Sequence, residues 1–275
     1  MTALKRIGLI GGGNMGSCLV GGLIRHGHPS QQILVVDHNE KHRAQLEEKW
    51  QIFTTSNPKE ILSQIHILVL AVKPQSMRAV VEEIAPLIDP QQTLIVSIAA
   101  GITTTQIQRW LSRSEFPVVR AMPNTPALLG VGITGVYASP QVNSAWQQQA
   151  TTLLQALGEV VWVKEEGLMD IVTALSGSGP AYFFYFMESL INSATALGLP
   201  QEIASKLTFN TALGSATMAL HCNEDIMTLR EKVTSKGGTT EQGINVLKDG
   251  KLQDLLAKTL TAATSRGKTL SEQYD

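Results

Sequence analysis

The feature that most limits what this chain can fold into is the stretch Ile7-Gly8-Leu9-Ile10-Gly11-Gly12-Gly13-Asn14-Met15-Gly16. A short β-branched run ends in successive glycines and passes into an apolar helical segment, so a G-x-G-x-x-G spacing falls on Gly11, Gly13 and Gly16. In a strand–turn–helix unit, the first glycine permits the tight turn and the second lets the backbone approach a pyrophosphate. The third lets helix and strand pack closely. The N–H groups at the helix start then face the phosphates with the positive end of the helix dipole. A Gly-rich turn can also be only a turn, but the strand before it and the helix after it favour the nucleotide.

The pattern continues along the first 163 residues. Further β-branched runs occur at Ile33–Val36, Ile65–Val72, Thr93–Ile98, Val118–Ala121 and Val160–Val163, with helix-like stretches at Gly16–His26, Lys41–Trp50 and Ser76–Leu87 between the earlier ones. Alternating strands and helices predict βαβ units and a mostly parallel sheet covered on both faces. The runs are almost continuously apolar, as strands buried on both sides should be. From about Lys164 the strand signal stops. Pro180–Gly198, Pro200–His221, Asp225–Val233 and Lys251–Gln273 read as helices, giving domains of 1–163 (dinucleotide-binding) and 164–275 (helical). In the second domain Tyr182, Phe183, Phe184, Tyr185 and Phe186 run consecutively, which fits either a central core helix or burial against another subunit.

Charge narrows the function classes. Lys+Arg number 22 and Asp+Glu 23, a net charge of −1, which argues against nucleic-acid binding. No apolar stretch approaches the roughly 18 residues of a membrane span, and the first residues lack the pattern of a secretory signal. A cytoplasmic protein is expected. Two cysteines and six scattered histidines (His26, His28, His38, His42, His66 and His221) form no ligand cluster, so no metal is expected.

Further site candidates follow from position. Asp37 lies at the end of the second strand run, 21 residues past Gly16. There the dinucleotide fingerprint places an acid that accepts a hydrogen bond from the adenosine ribose and favours NAD over NADP. His38, Asn39, Lys41 and Arg43 follow closely and could serve a 2′-phosphate, and Asp37 could also be a plain turn residue. Ala71-Val72-Lys73-Pro74 and Ser97-Ile98-Ala99-Ala100-Gly101 end the next two strand runs and should line the crevice, since ligands of open α/β sheets sit outside the carboxyl ends of strands.

Taken in order, the segments IGLIGGGNMG (7–16), LAVKPQ (70–75), SIAAGI (97–102), RAMPNTPALLGVG (120–132), ALSGSGPAYFF (174–184) and VTSKGGTTEQG (233–243) make the chain resemble the Δ1-pyrroline-5-carboxylate reductases, from Arg6 to Gln273. The resemblance implies an α/β fold with an N-terminal Rossmann-like doubly wound sheet and a C-terminal all-helical domain that interlocks with a partner in a homodimer or larger homo-oligomer. It implies reduction of (S)-1-pyrroline-5-carboxylate to L-proline by NADPH or NADH. Carried over residue by residue, Ile10, Gly11, Gly12, Gly13, Asn14 and Met15 match the phosphate-binding turn. Asn57 matches a residue that holds the adenosine ribose, while Ala71, Val72, Lys73, Pro74 and Ala100 run along the cofactor. Glu166, Lys232, Thr239 and Thr240 match positions lining the substrate pocket. Many relatives carry Ser, Thr or Asn at Asp37 and often Asn at Lys232, so this chain departs from that pattern at both.

The implied reaction needs no nucleophile. An imine accepts hydride better when its nitrogen is protonated or hydrogen-bonded, a task assigned to the Thr240 hydroxyl. The Gly237-Gly238-Thr239-Thr240 turn suits the substrate carboxylate through backbone N–H groups, although either threonine could instead merely cap its own helix. Ser176-Gly177-Ser178-Gly179-Pro180 reads as a helix start, with Ser178 or Gly179 as cap and Pro180 in the first turn. Asn124 could bond a nicotinamide carboxamide or its own turn. The β-hydroxyacid dehydrogenases share the glycine turn but carry a catalytic lysine after a Gly-rich helix start, and Pro180–Tyr185 holds none. A non-catalytic dinucleotide-binding module would have no need of the GGTT and SGSGPAY segments together.

Overall fold

A computed structural model describes residues 5–274. The eight strands are β1 (Ile7–Ile10), β2 (Ile33–Val36), β3 (Phe53–Thr55), β4 (Ile67–Leu70), β5 (Leu94–Ser97), β6 (Val118–Met122), β7 (Gly132–Ala138) and β8 (Gly158–Trp162). They form one sheet in the order β3-β2-β1-β4-β5-β6-β7-β8. Strands β1 to β6 pair in parallel, β7 runs antiparallel to β6, and β8 parallel to β7. The mostly parallel, doubly wound sheet expected from the sequence is present.

Two strands carried no recognisable signal. β3 has three residues, and its Phe53 is exposed. β7 is interrupted by Gly132 and Gly135, which break the β-branched pattern for packing reasons. A Cβ on Gly135 would meet Val172 Cγ1 at 2.3 Å, and one on Gly132 would meet the Ala127 nitrogen at 2.7 Å.

Five helices flank the sheet: α1 (Asn14–Arg25), α2 (Glu40–Trp50), α3 (Pro74–Ile84), α4 (Thr104–Trp110) and α5 (Ser144–Leu154). Alternate strand residues feed two cores, as the period of two requires. Leu9, Val35, Val69 and Val96 join Leu19, Leu23, Leu153 and Leu154 from α1 and α5. On the other face Ile10, Val36, Leu68 and Ile95 join Met77, Val81, Ile107 and Trp110 from α3 and α4.

The chain divides into two compact units, residues 1–178 with 263–275, and residues 179–262. The parting therefore differs from the expected 163/164 boundary, and the reason is local packing. α6 (Leu168–Val172) buries Met169 and Asp170 and presses Val172 onto Gly135 of β7. At the other end Ser271 accepts a 2.8 Å hydrogen bond from Gln106 Nε2, and the Tyr274 hydroxyl accepts one from Gln75 Nε2 at 3.1 Å.

The second unit is helical: α7 (Gly179–Ala196), α8 (Gln201–His221), α9 (Ile226–Lys232), α10 (Thr239–Asp249) and the first part of α11 (Leu252–Gln273). Between α7 and α8 the chain turns at Gly198, whose φ of +101° suits a residue without a side chain. Phe183 and Tyr185 on α7 are 69% and 71% exposed in the single chain. The aromatic run is thus no central core helix, and an exposed apolar surface of this kind marks an interaction face. Among the described residues no helix is long and apolar enough to cross a membrane.

Candidate functional site

The strand order places a topological switch point between β1 and β4, whose neighbours on either side are reached by crossovers in opposite directions. Ligands of such sheets bind outside the carboxyl ends of these strands. β1 ends in Gly11, whose φ of +107° would strain any other residue, and a Cβ there would lie 2.6 Å from the Ala71 carbonyl oxygen at the exit of β4. A Cβ on Gly16 would lie 2.2 Å from the Gly11 oxygen, so that glycine lets α1 rest on the turn. Gly13 differs. A Cβ on it would meet nothing within 4 Å, and as N-cap of α1 it leaves the first helical N–H groups without a side-chain acceptor. An open space facing bare amide donors at a helix start fits a pyrophosphate.

A cleft of about 590 Å³ opens at this point, within the size range of small-molecule sites. Of the candidates, Ile10, Gly11, Gly13, Asp37, Ala71, Val72 and Lys73 line it, together with His38, His42 and Ser76. Pro74 takes the first position of α3 behind Lys73, and Met15 packs towards the core. Asn14 instead lines a separate groove of about 890 Å³ between α1 and α2. That groove is larger, but no residue from a strand end lines it, so the switch-point cleft is the better dinucleotide site. Asn57 caps the short turn Pro58–Glu60 through Oδ1, which accepts from the Lys59 N–H at 3.1 Å, and its neighbours Ser56 and Pro58 reach the cleft. Ala100 lies at the β5 exit beside Gly101, at φ +76°.

Asp37 is 6% exposed, yet its carboxylate is well supplied with donors. Oδ2 accepts the Gly12 N–H at 2.6 Å and His42 Nδ1 at 3.2 Å, while Oδ1 accepts the Asn39 N–H at 2.8 Å. Burial pushes this carboxyl up, but the hydrogen bonds from Asn39, Gly12 and His42 outweigh it and hold the group below its ordinary value of 3.8. Asp37 is therefore an anion that ties the glycine turn to the start of α2.

Glu166 belongs to the sheet unit. Its two carboxylate oxygens accept the Thr104 N–H at 2.7 Å and the Thr104 hydroxyl at 2.8 Å, and Arg120 stands 3.7 Å away. Arg120, only 3% exposed, also donates to Asp170 at 3.1 Å. This buried ion cluster joins β6, α4 and α6. Burial raises the Tyr137 phenol above its ordinary value, and the charge of Glu166 adds to the shift.

The SGSG segment spans two elements. α7 starts at Gly179 with Pro180 in its first turn, as expected from the sequence. Before it, Thr173–Gly177 forms a π-helical turn that continues α6, with the Ser178 N–H bonded to the Thr173 oxygen at 2.9 Å. Such turns are rare and often mark functional places. Asn124 settles against it rather than in its own turn: Nδ2 donates to the Ser176 oxygen at 3.2 Å, and Oδ1 accepts the Ile133 N–H at 3.0 Å. Its amide nitrogen and oxygen thus each bond protein.

In the helical unit, Gly238 is the N-cap of α10, so Thr239 and Thr240 occupy the first two helical positions and neither takes the capping role. Glu241 Oε2 accepts the Gly237 N–H at 2.8 Å, and a Cβ on Gly238 would crowd Ser235 Oγ at 2.9 Å. The turn is built to keep its backbone in place while leaving the threonine hydroxyls unspent. Lys232, by contrast, ends α9 with its ammonium on the Glu224 carboxylate. Among the described residues, no three His, Cys, Asp or Glu side chains group as metal ligands.

Known proteins resemble this chain along its whole length. Residues 166–270 match the family described as pyrroline-5-carboxylate reductase dimerisation, and residues 6–101 that described as NADP oxidoreductase, coenzyme F420-dependent. The pyrroline-5-carboxylate reductase of Pseudomonas aeruginosa is 44% identical over 268 residues, covering 98% of this chain and 97% of that protein. Among solved structures, a pyrroline-5-carboxylate reductase from Coxiella burnetii shares 41% identity at a TM-score of 0.94, covering 98% and 99% of the two chains. The pyrroline carboxylate reductase of Plasmodium falciparum, with NADP bound, shares 28% at 0.85 with the same coverage.

Proposed function

This chain belongs to the pyrroline-5-carboxylate reductase family, and from that premise we propose how its residues act. It is an oxidoreductase that reduces (S)-1-pyrroline-5-carboxylate to L-proline with NAD(P)H, the last step of proline biosynthesis. The observation that carries the reading is the open space over Gly13 at the switch point, which suits the pyrophosphate of a dinucleotide.

A dinucleotide held in that cleft would supply the chemistry, a hydride from C4 of its dihydronicotinamide for C5 of the imine. The ring nitrogen takes up a proton from solvent as the C=N bond becomes a single bond, leaving the amine of proline. Thr240 is the hydrogen-bond donor to that nitrogen, polarising the C=N bond before transfer. The substrate carboxylate lies on the backbone N–H groups at the start of α10, around Gly238 and Thr239, where the helix dipole favours an anion. Lys232 contributes to the rim of this pocket with its charge balanced by Glu224, so the backbone does the anion binding. Glu166 acts through Thr104, fixing the start of α4 just past the Ala100 turn on which the cofactor lies. Ile10, Gly11, Gly12, Asn14, Met15 and Gly16 form the phosphate turn; Asn57 and Asp37 serve the adenosine ribose; Ala71, Val72, Lys73 and Pro74 flank the nicotinamide half.

The enzyme is a homo-oligomer. The exposed aromatic face of α7 supports a homodimer as its smallest form. A cytoplasmic setting suits the exposed free thiol of Cys222.

The test is a spectrophotometric assay of purified protein with pyrroline-5-carboxylate, run separately with NADH and NADPH. Imine-dependent oxidation of either cofactor is expected. A folded protein that binds dinucleotide but oxidises neither would overturn the assignment.

A further inference from the structure

The adenosine end of the cleft holds a feature that the glycine turn and its acid do not account for: His42. It lies on the first turn of α2, five residues past Asp37, and its Nδ1 donates to Asp37 Oδ2 at 3.2 Å, on the same oxygen that accepts the Gly12 N–H. With the Asn39 N–H on Oδ1, three donors from two elements hold one carboxylate. An ionised carboxylate has about four lone-pair sites. Both sites on Oδ2 are filled, and the one left is on Oδ1, the oxygen nearer the exposed His38 ring at 3.8 Å. That lone-pair site can accept a single hydroxyl donor.

The two cofactors present opposite chemistry there. A ribose 2′-hydroxyl brings a hydrogen to donate, whereas a 2′-phosphate brings about two negative charges and acceptor oxygens only. The nearby cations are partly committed elsewhere, since the Arg43 guanidinium donates to the Asp37 carbonyl oxygen at 2.8 Å. Lys41 is exposed on the first turn of α2, and His38, exposed at the mouth of the cleft, is a neutral ring unless protonated.

Resting on the reading that this cleft holds a dinucleotide, we propose that Asp37 and His42 together set the choice between NADH and NADPH. Asp37 takes the ribose hydroxyl on Oδ1 and repels the 2′-phosphate, and His42 sets the margin by occupying Oδ2. The chain therefore binds NADH more tightly than NADPH while accepting both. A cation in place of His42 offsets the carboxylate and narrows the preference, and an apolar side chain removes a donor from it and widens the preference. His42 is a positioning residue here, acting through Asp37. Its partly exposed site on α2 tolerates either change.

The experiment is calorimetric titration of the full-length protein with NADH and with NADPH, with no imine present. Wild type should favour NADH by about tenfold, the equivalent of one charge-assisted hydrogen bond exchanged for a repulsion. His42→Arg should bring the two dissociation constants together, His42→Leu should separate them further, and Asp37→Ser should reverse the order. Ratios that stay within about twofold of wild type in both His42 variants would overturn the role of His42 while leaving the dinucleotide reading intact. A wild-type preference for NADPH would overturn the proposal for Asp37. Failure of the folded wild type to bind either nucleotide would overturn the cleft assignment and this inference with it.

Discussion

Replacing Gly13 by Ala separates a glycine kept for its ligand from glycines kept for the fold. Gly13 has φ −66°, which any residue adopts, and its Cβ would meet no protein atom within 4 Å. As N-cap, alanine is worse than glycine by about 0.5–1 kcal/mol, and the stiffer unfolded chain returns about 0.4–1 kcal/mol. The two offset, so the melting temperature should move by no more than about 2 °C. Nucleotide binding should respond quite differently. A methyl group in that space holds the pyrophosphate away from the amides of α1. Losing two charge-assisted hydrogen bonds at about 1.5 kcal/mol each weakens Kd roughly 100-fold. Gly16→Ala is the control. Its Cβ would lie 2.2 Å from the Gly11 oxygen, so the turn must shift. An overpacking cost of about 1–3 kcal/mol should lower the melting temperature by roughly 2–12 °C. Thermal denaturation and titration with NADH or NADPH measure both quantities. A Gly13→Ala protein that binds dinucleotide like wild type would refute the placement of the pyrophosphate. One that melts like Gly16→Ala would refute the packing argument.

Three further outcomes are expected. Thr240→Ala should lower kcat about 100-fold, the scale of one donor lost from a developing charge, with dinucleotide Kd within about twofold of wild type; unchanged turnover in steady-state kinetics would remove Thr240 from the mechanism. Arg120→Met strands Asp170 and Glu166 near the base of β6 and should cost about 3–5 kcal/mol in urea denaturation; a loss under about 1 kcal/mol would mean the cluster is solvated. Asp37 has a folded-state value below its unfolded 3.8, so its stabilising contribution is complete above that pH and fades as pH falls through the lower folded value. The stability difference between wild type and Asp37→Asn should accordingly be flat at neutral pH and shrink below about 3.8, and a difference that grows towards acid would contradict the sign.

Most of the strands that could be read from the sequence, β1, β2, β4, β5 and β6, are near-continuous apolar runs because helices on both faces of the sheet bury them; β8 was read from its valines although it is only partly buried. The glycine turn was legible because the positive φ of Gly11 and the close backbone approaches at Gly11 and Gly16 leave glycine little competition. β7 was not legible, because its glycines answer to Val172 and Ala127, which come from elsewhere in the chain. In the SGSG segment the helix start at Gly179-Pro180 was legible, but the π-helical turn before it was not, because it packs against residues from elsewhere: Asn124 bonds Ser176 and Met122 lies against Gly177.

Within the site, local sequence could say which residues stand at a strand exit or a helix start, and that was enough to assemble the cofactor turn and the GGTT segment. It could not say where a side chain spends its hydrogen bonds. His42 on Asp37, Glu166 on Thr104, Asn124 on Ser176 and Lys232 on Glu224 each join side chains to groups that only the folded chain brings within 4 Å. Sequence by itself determined the glycine turn and the alternation of the buried strands with helices, because those depend on neighbours along the chain. Tertiary structure alone decided which polar groups are committed to partners within the chain, because satisfying a buried polar group depends on partners from distant segments.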